Sequence, residues 1–177
     1  SLSQFPSYAS RAVREALPVP HALSTFELSK LDWDESCNNL VAQQALALHR
    51  DLLALRREDP CLHACLEASG RAFDTTVLSD CALVLRYFGK GSDDRLILIN
   101  LGRELDLTPA PEPLLGPPLT GAWGLAWSSE EPRYGGSGVA EDMTDDHGWH
   151  LPAHSALLFK PVAPGSSAAA AQEGRKS

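Results

Sequence analysis

The sequence predicts a mainly β fold, an antiparallel β-sandwich preceded by one long amphipathic helix. Apolar residues at Val41, Ala45, Leu48, Leu52 and Leu55 recur at the i, i+4, i+7, i+11, i+14 spacing of one helical stripe. After Pro60 the period changes to short runs rich in Val, Ile, Leu and aromatics, about 8–15 residues apart with turn residues between them. A lone helix cannot bury its stripe against itself, so this one needs a larger body to pack on.

Residues 1–35 are irregular, with Pro6, Pro18 and Pro20 breaking a short helix expected near Ala9–Ala16. The long helix starts near Ser36–Asn39, where Ser36, Asn38 or Asn39 can cap its free N–H groups. It ends near Arg57, where two arginines complement the helix dipole, and Pro60 forbids continuation. Burying four or five aliphatic side chains of the stripe would contribute roughly 8–12 kcal/mol before ordering entropy.

Cys61–Ser69 fits one more helical turn or a loop. Phe73–Leu78, Cys81–Phe88 and Arg95–Leu101 read as strands, the last apolar on both faces and therefore central. Gly89–Asp94 has turn composition, which makes the second and third strands a hairpin. Glu104–Leu107 alternates as a short strand, and Thr108–Gly121 is a surface connection with five prolines. Ala122–Ser128 places Trp123, Leu125 and Trp127 on one strand face. Ser129–Asp146 reads as a long Gly- and acid-rich loop, Ser155–Lys160 closes the sheet, and a disordered tail is expected from Ala163. The domain reading is 1–60, 61–162 and 163–177.

At 177 residues the chain holds one large domain, or one compact domain with a piece of another. The net charge of -8 offers no basic stripe for phosphates, so neither nucleic acid nor an anionic membrane surface is an expected partner. No apolar run approaches the roughly 20 residues that span a bilayer, and no basic segment followed by an apolar one, the pattern of a signal peptide, is visible near Ser1. The acidity and four scattered cysteines (Cys37, Cys61, Cys65, Cys81) suit reduced thiols in a cytoplasmic protein. The chain opens on Ser1 rather than Met, as a processed chain or a fragment does.

Few residues suggest chemistry. His147, His150 and His154, behind Glu141, Asp142, Asp145 and Asp146, could ligate a transition metal, but Pro152 prevents a helix from aligning them. A strand-edge setting is the simpler reading, and neither a metal nor a cofactor is expected. Cys61-Leu-His-Ala-Cys65 lacks a zinc spacing and a second pair. The carboxylates at Asp32/Asp34/Glu35, Glu130/Glu131 and Glu141/Asp142 are adjacent in polar loops, whereas glycoside hydrolysis needs two held across a cleft. Trp123, Trp127 and Trp149 could stack on a sugar; core packing explains them more simply.

The segment Leu46-Ala-Leu-His-Arg-Asp-Leu-Leu-Ala-Leu-Arg-Arg-Glu-Asp-Pro60 resembles the last barrel helix of the α-amylase superfamily, glycoside hydrolase family 13. Phe5-Pro6, Ser24-Thr-Phe-Glu-Leu-Ser-Lys-Leu-Asp-Trp33, Trp127-Ser-Ser-Glu-Glu-Pro-Arg-Tyr-Gly-Gly136 and Leu151-Pro-Ala-His-Ser-Ala156 narrow the likeness to its trehalose-releasing branch. The resemblance covers about residues 1–162 and rests on the joint order of these segments. It implies the last loop and amphipathic helix of a (β/α)8 barrel, then an accessory C-terminal β-sandwich. In that branch the whole enzyme hydrolyses an α-1,4 bond of maltooligosyltrehalose, using an Asp nucleophile, a general-acid Glu and a further Asp. None of their motifs occurs here, so no catalytic residue carries over. The expected role is structural, by packing on the barrel, with Phe5 and Trp33 the residues through which residues 1–35 would reach substrate. A sugar-binding module is the alternative.

Overall fold

A computed structural model describes residues 10, 12–13, 17–64, 73–119, 121–138, 144–145 and 148–163. The chain divides into two compact units, 1–39 and 40–177. The expected helix near Ala9–Ala16 and the tail beyond Ala163 lie mostly or wholly outside the described residues.

In the first unit, α1 (Leu23–Leu28) and α2 (Glu35–Asn38) are short. The Thr25 hydroxyl donates to the Val19 carbonyl at 2.8 Å, and Lys30 pairs with Glu27 at 3.1 Å. Leu23, Phe26, Leu28, Leu31 and Trp33 are all exposed.

The second unit opens with α3 (Leu40–Glu58), close to the span that its apolar spacing predicts. Asn39 is extended, which separates α3 from α2. Pro60 ends α3 as expected, but it also begins α4 (Pro60–Ala64). Its missing N–H costs nothing in a first helical turn. Asp59 caps that turn, its Oδ1 accepting from the Cys61 and Leu62 amides at 2.9 and 3.1 Å.

Among the described residues eight strands follow: β1 (Phe73–Ser79), β2 (Ala82–Tyr87), β3 (Arg95–Asn100), β4 (Leu105–Leu107), β5 (Ala122–Ser128), β6 (Thr144–Asp145), β7 (Gly148–Leu151) and β8 (Ser155–Val162). They form an antiparallel five-stranded sheet, β1-β2-β3-β8-β5, and a three-stranded one, β4-β7-β6. The β2–β3 hairpin and the central place of β3 agree with the sequence reading. The short β6 and β7 fall where the sequence shows only loop and histidines. Their signal is brief, one alternation in which Trp149 and Leu151 turn inward around an outward His150.

The core lies between the sheets. Val84 pairs with Leu98, and Leu98 with Leu157, forming one inward row across three strands. Leu96 and Phe159 form the next row, and Trp149 of β7 meets Phe159 edge-on at 5.2 Å. Asn100, 1% exposed, closes one end of the core. Its Nδ2 donates to the Arg103 and Pro152 carbonyls at 2.7 and 2.9 Å. Arg86 closes another part, donating to the Leu114 and Gly116 carbonyls of the Pro-rich connection and stacking over Trp123 at 5.1 Å.

A bulge in β5 reverses one sequence expectation. Leu125 pairs with Phe159, yet Trp127 pairs with Leu158, so Ala126 is the extra residue. Trp123 stays in the inter-sheet core, while Trp127 joins the outward row Leu85–Ile97–Leu158 on the other face of the large sheet.

Candidate functional site

On the outward face of the large sheet, polar contacts join the strands and the loop after β5 to α3 and to Asp59 beyond it. Half-buried positions on α3 are Ala42, Gln44, Ala47, Leu48, Asp51, Ala54 and Leu55, and all but Ala42 share one helical side. Val41 (71% exposed), Leu52 (42%) and Leu53 (56%) lie elsewhere on the helix, and Ala45 is exposed too. The stripe read from the sequence is therefore divided. Leu48 and Leu55 are partly covered within this unit, whereas Val41, Ala45 and Leu52 face outward.

Two polar anchors tie this helical side and the turn after it to the rest of the unit. At mid-helix, the Tyr134 hydroxyl donates to Asp51 Oδ2 at 2.6 Å and accepts from the Trp127 indole N–H at 3.1 Å. Arg133 pairs with the same Asp51 oxygen at 2.8 Å and with Glu131 at 2.7 Å. Burial, then the hydrogen bond to Asp51, pushes the Tyr134 phenol up to about 12, so it remains a donor at neutral pH. At the helix end, Asp59 Oδ2 meets Arg95 Nε at 2.6 Å, and Asp93 Oδ1 meets Arg95 Nη1 at 2.6 Å. Burial works against the charge on Arg95, but its hydrogen bonds to Asp93 and Asp59 more than restore it. The bond to Arg95 holds the Asp93 carboxyl below its usual range. Cys61, buried beside this anchor, directs Sγ toward the Tyr87 carbonyl at 3.8 Å.

The other candidates fall out by geometry. Trp123, Trp127 and Trp149 are each 8% exposed and offer no platform for a sugar. Trp33 is 78% exposed, and its carbonyl accepts from the Ser36 hydroxyl at 2.9 Å. Phe5, Cys65, Glu141, Asp142, Asp146 and His147 lie outside the described residues. Among the described residues no group of three or more His, Cys, Asp or Glu could hold a metal. His150 instead bridges two carboxylates, Nδ1 at 2.6 Å from Asp106 of β4 and Nε2 at 2.8 Å from Glu104 just before it. Asp106 is its cross-strand neighbour. This pairing raises the imidazole above its ordinary 6.5, chiefly through the hydrogen bond to Asp106. His154 sits elsewhere, in a left-handed turn with its amide on the Gly102 carbonyl at 3.1 Å.

A cleft of about 170 Å³ opens between β1 and the Pro-rich connection, lined by Val77, Leu78, Leu107, Pro111 and Glu112. It is smaller than ordinary ligand pockets. Glu112 is already engaged, accepting from the Leu114 amide at 3.0 Å. Glu130 and Glu131 belong to the loop beside α3 and do not face one another across a cleft. Among the described residues, no helix is long and apolar enough to cross a membrane. What remains as a functional surface is the outward side of α3.

Two comparisons relate the chain to known proteins. A family model described as "Domain of unknown function (DUF3459)" matches residues 70–158, which hold all eight strands apart from the last few residues of β8. A malto-oligosyltrehalose trehalohydrolase of Deinococcus radiodurans is 38% identical over 90 residues, covering 51% of this chain and 14% of that enzyme. The matching stretch is thus a small part of that relative's length.

Replacing Arg95 with Met should cost about 3–5 kcal/mol in denaturant unfolding, because it strips two carboxylates of a partner that is only 7% exposed. Arg133→Met, at a side chain 41% exposed, should cost about 1 kcal/mol or less. A second expectation concerns pH. Because the folded state raises His150 above 6.5, its contribution to stability is full below that value. That contribution is lost as pH rises through the raised value. His150→Gln should therefore lower Tm relative to the native chain at about pH 5 and converge with it at about pH 8.5.

Proposed function

Because the chain belongs to the DUF3459 family, the C-terminal domain of α-amylase-family glycoside hydrolases, we propose that it is the non-catalytic C-terminal part of a malto-oligosyltrehalose trehalohydrolase. The 38% identity to the Deinococcus radiodurans enzyme carries this reading. In such an enzyme a barrel-borne Asp and Glu hydrolyse the α-1,4 bond that joins trehalose to a maltooligosaccharide. This chain supplies neither carboxylate. Its contribution is mechanical.

The outward side of α3 supports that role. The outer helices of a (β/α)8 barrel each bury an apolar stripe against the strands. Val41, Ala45 and Leu52 offer such a stripe, with Leu53 beside it. Covering three large side chains stabilises by about 5–8 kcal/mol. On this reading α3 is shared, one side packed on the sandwich and the other on the barrel. The exposed Trp33 reaches the substrate groove, where its ring can stack on a sugar.

The purified chain incubated with maltooligosyltrehalose should release no trehalose, and maltoheptaose up to millimolar concentration should leave its Trp fluorescence unchanged. Turnover that survives stringent purification would remove the non-catalytic reading. A saturable fluorescence shift would favour an independent sugar-binding module instead.

A further inference from the structure

Among the described residues, the stretch Trp127–Gly136 makes the closest polar contacts to α3. It leaves β5 through Ser128, paired with Leu157 of β8, and Ser129, whose amide donates to the Ala156 carbonyl and whose hydroxyl accepts from the Ala156 amide, both at 2.9 Å. It then closes on itself, the Gly138 amide donating to the Glu130 carbonyl at 2.8 Å. A tight 3₁₀ turn, Pro132–Tyr134, follows. Gly135 has φ of 88°, a conformation that favours glycine, and a Cβ there would come 2.9 Å from the Gln44 Oε1. A Cβ on Gly136 would strike the Glu130 backbone. The turn thus presents Arg133 and Tyr134 from a stiff base.

Helix α3 has more than one apolar side. Ala47, Leu48, Ala54 and Leu55 lie on the covered side, and Val41, Ala45, Leu52 and Leu53 lie on the outward one. Apolar contact is non-directional, so a helix turned by about 100°, one residue of rotation, could bury a comparable stripe. The polar contacts are not interchangeable. Gln44 and Asp51, two turns apart, both meet the loop on the covered side, and Asp59 reaches Arg95 beyond them. A rotated helix would withdraw Asp51 and leave the Trp127 N–H and Tyr134 hydroxyl enclosed with fewer partners.

We propose that the Trp127–Gly136 loop is a positioning device that sets the rotation of α3 about its own axis, through the Trp127–Tyr134–Asp51 chain and Arg133. It directs Val41 and Leu52 outward and keeps Leu48 and Leu55 against the sandwich. Tyr134 and Asp51 are positioning residues for the helix surface. The inference depends only on geometry within residues 40–177 and stands whichever enzyme the domain serves.

Hydroxyl-radical footprinting of the whole 177-residue chain reads this rotation directly. In the native chain Leu52 and Leu53 should oxidise faster than Leu48 and Leu55. Tyr134→Phe should abolish that contrast while Phe159 and Trp149 stay protected, and Asp51→Asn should do the same. Persistence of the contrast in both variants would overturn the proposal, since the apolar stripe alone would then set the rotation. Loss of protection at Phe159 and Trp149 together with the helix, in both variants, would also overturn it, because the loop would then be an undifferentiated part of the core.

Discussion

The large sheet is apolar on both faces, so each face needs its own cover. Along β3, Leu96 and Leu98 point into the core between the sheets, while Ile97 and Ile99 point the other way. The three-stranded sheet covers the first side with Trp149, Leu151, Leu105 and Leu107. The second side is covered only in part, by α3, α4 and the loop that follows β5. A helix ahead of the sandwich is therefore no appendage. It closes a surface that strand alternation alone would leave wet, while its own far side remains apolar and exposed.

Polar contacts decide how that cover sits. Hydrophobic burial supplies most of the free energy of such a contact, but it distinguishes poorly between one rotation of a helix and another. A buried guanidinium between Asp59 and Asp93 and a phenol shared by Trp127 and Asp51 have directions, and both lose partners if the helix turns. Buried ion pairs are weak contributors to net stability against an apolar substitute, yet costly to break from one side. Here they serve best as registry marks, consistent with their position at two points along one helical side.

Much of the architecture was legible in the sequence because it depends on local periodicity. The end of α3 before Pro60, the turn at Gly89–Asp94 and the doubly apolar β3 follow from residue types within a few positions of each other. Three features did not. The β5 bulge at Ala126 moves Trp127 to the opposite face, which simple alternation from Trp123 cannot anticipate. The strands β6 and β7 are two and four residues long, too short for a periodic signal. The covered side of α3 is chosen by Asp51 and Asp59 through partners far along the chain, Tyr134 and Arg95. Hydrophobic spacing ranked Val41 with Leu48, and only the fold separates them. His150 behaves likewise, since its carboxylates lie more than 40 residues away, on β4 and just before it.

If α3 closes the second face of the large sheet, the helix and the sandwich form one cooperative unit. Native-state hydrogen exchange, followed amide by amide with increasing denaturant, measures this directly. The amides from Leu48 to Leu55 should exchange through the same global opening as those of Leu98 and Leu157, with a matching dependence on denaturant. Exchange of the helix through a separate opening, well below the strands in free energy and insensitive to denaturant, would show that the sandwich does not hold it and would contradict the account.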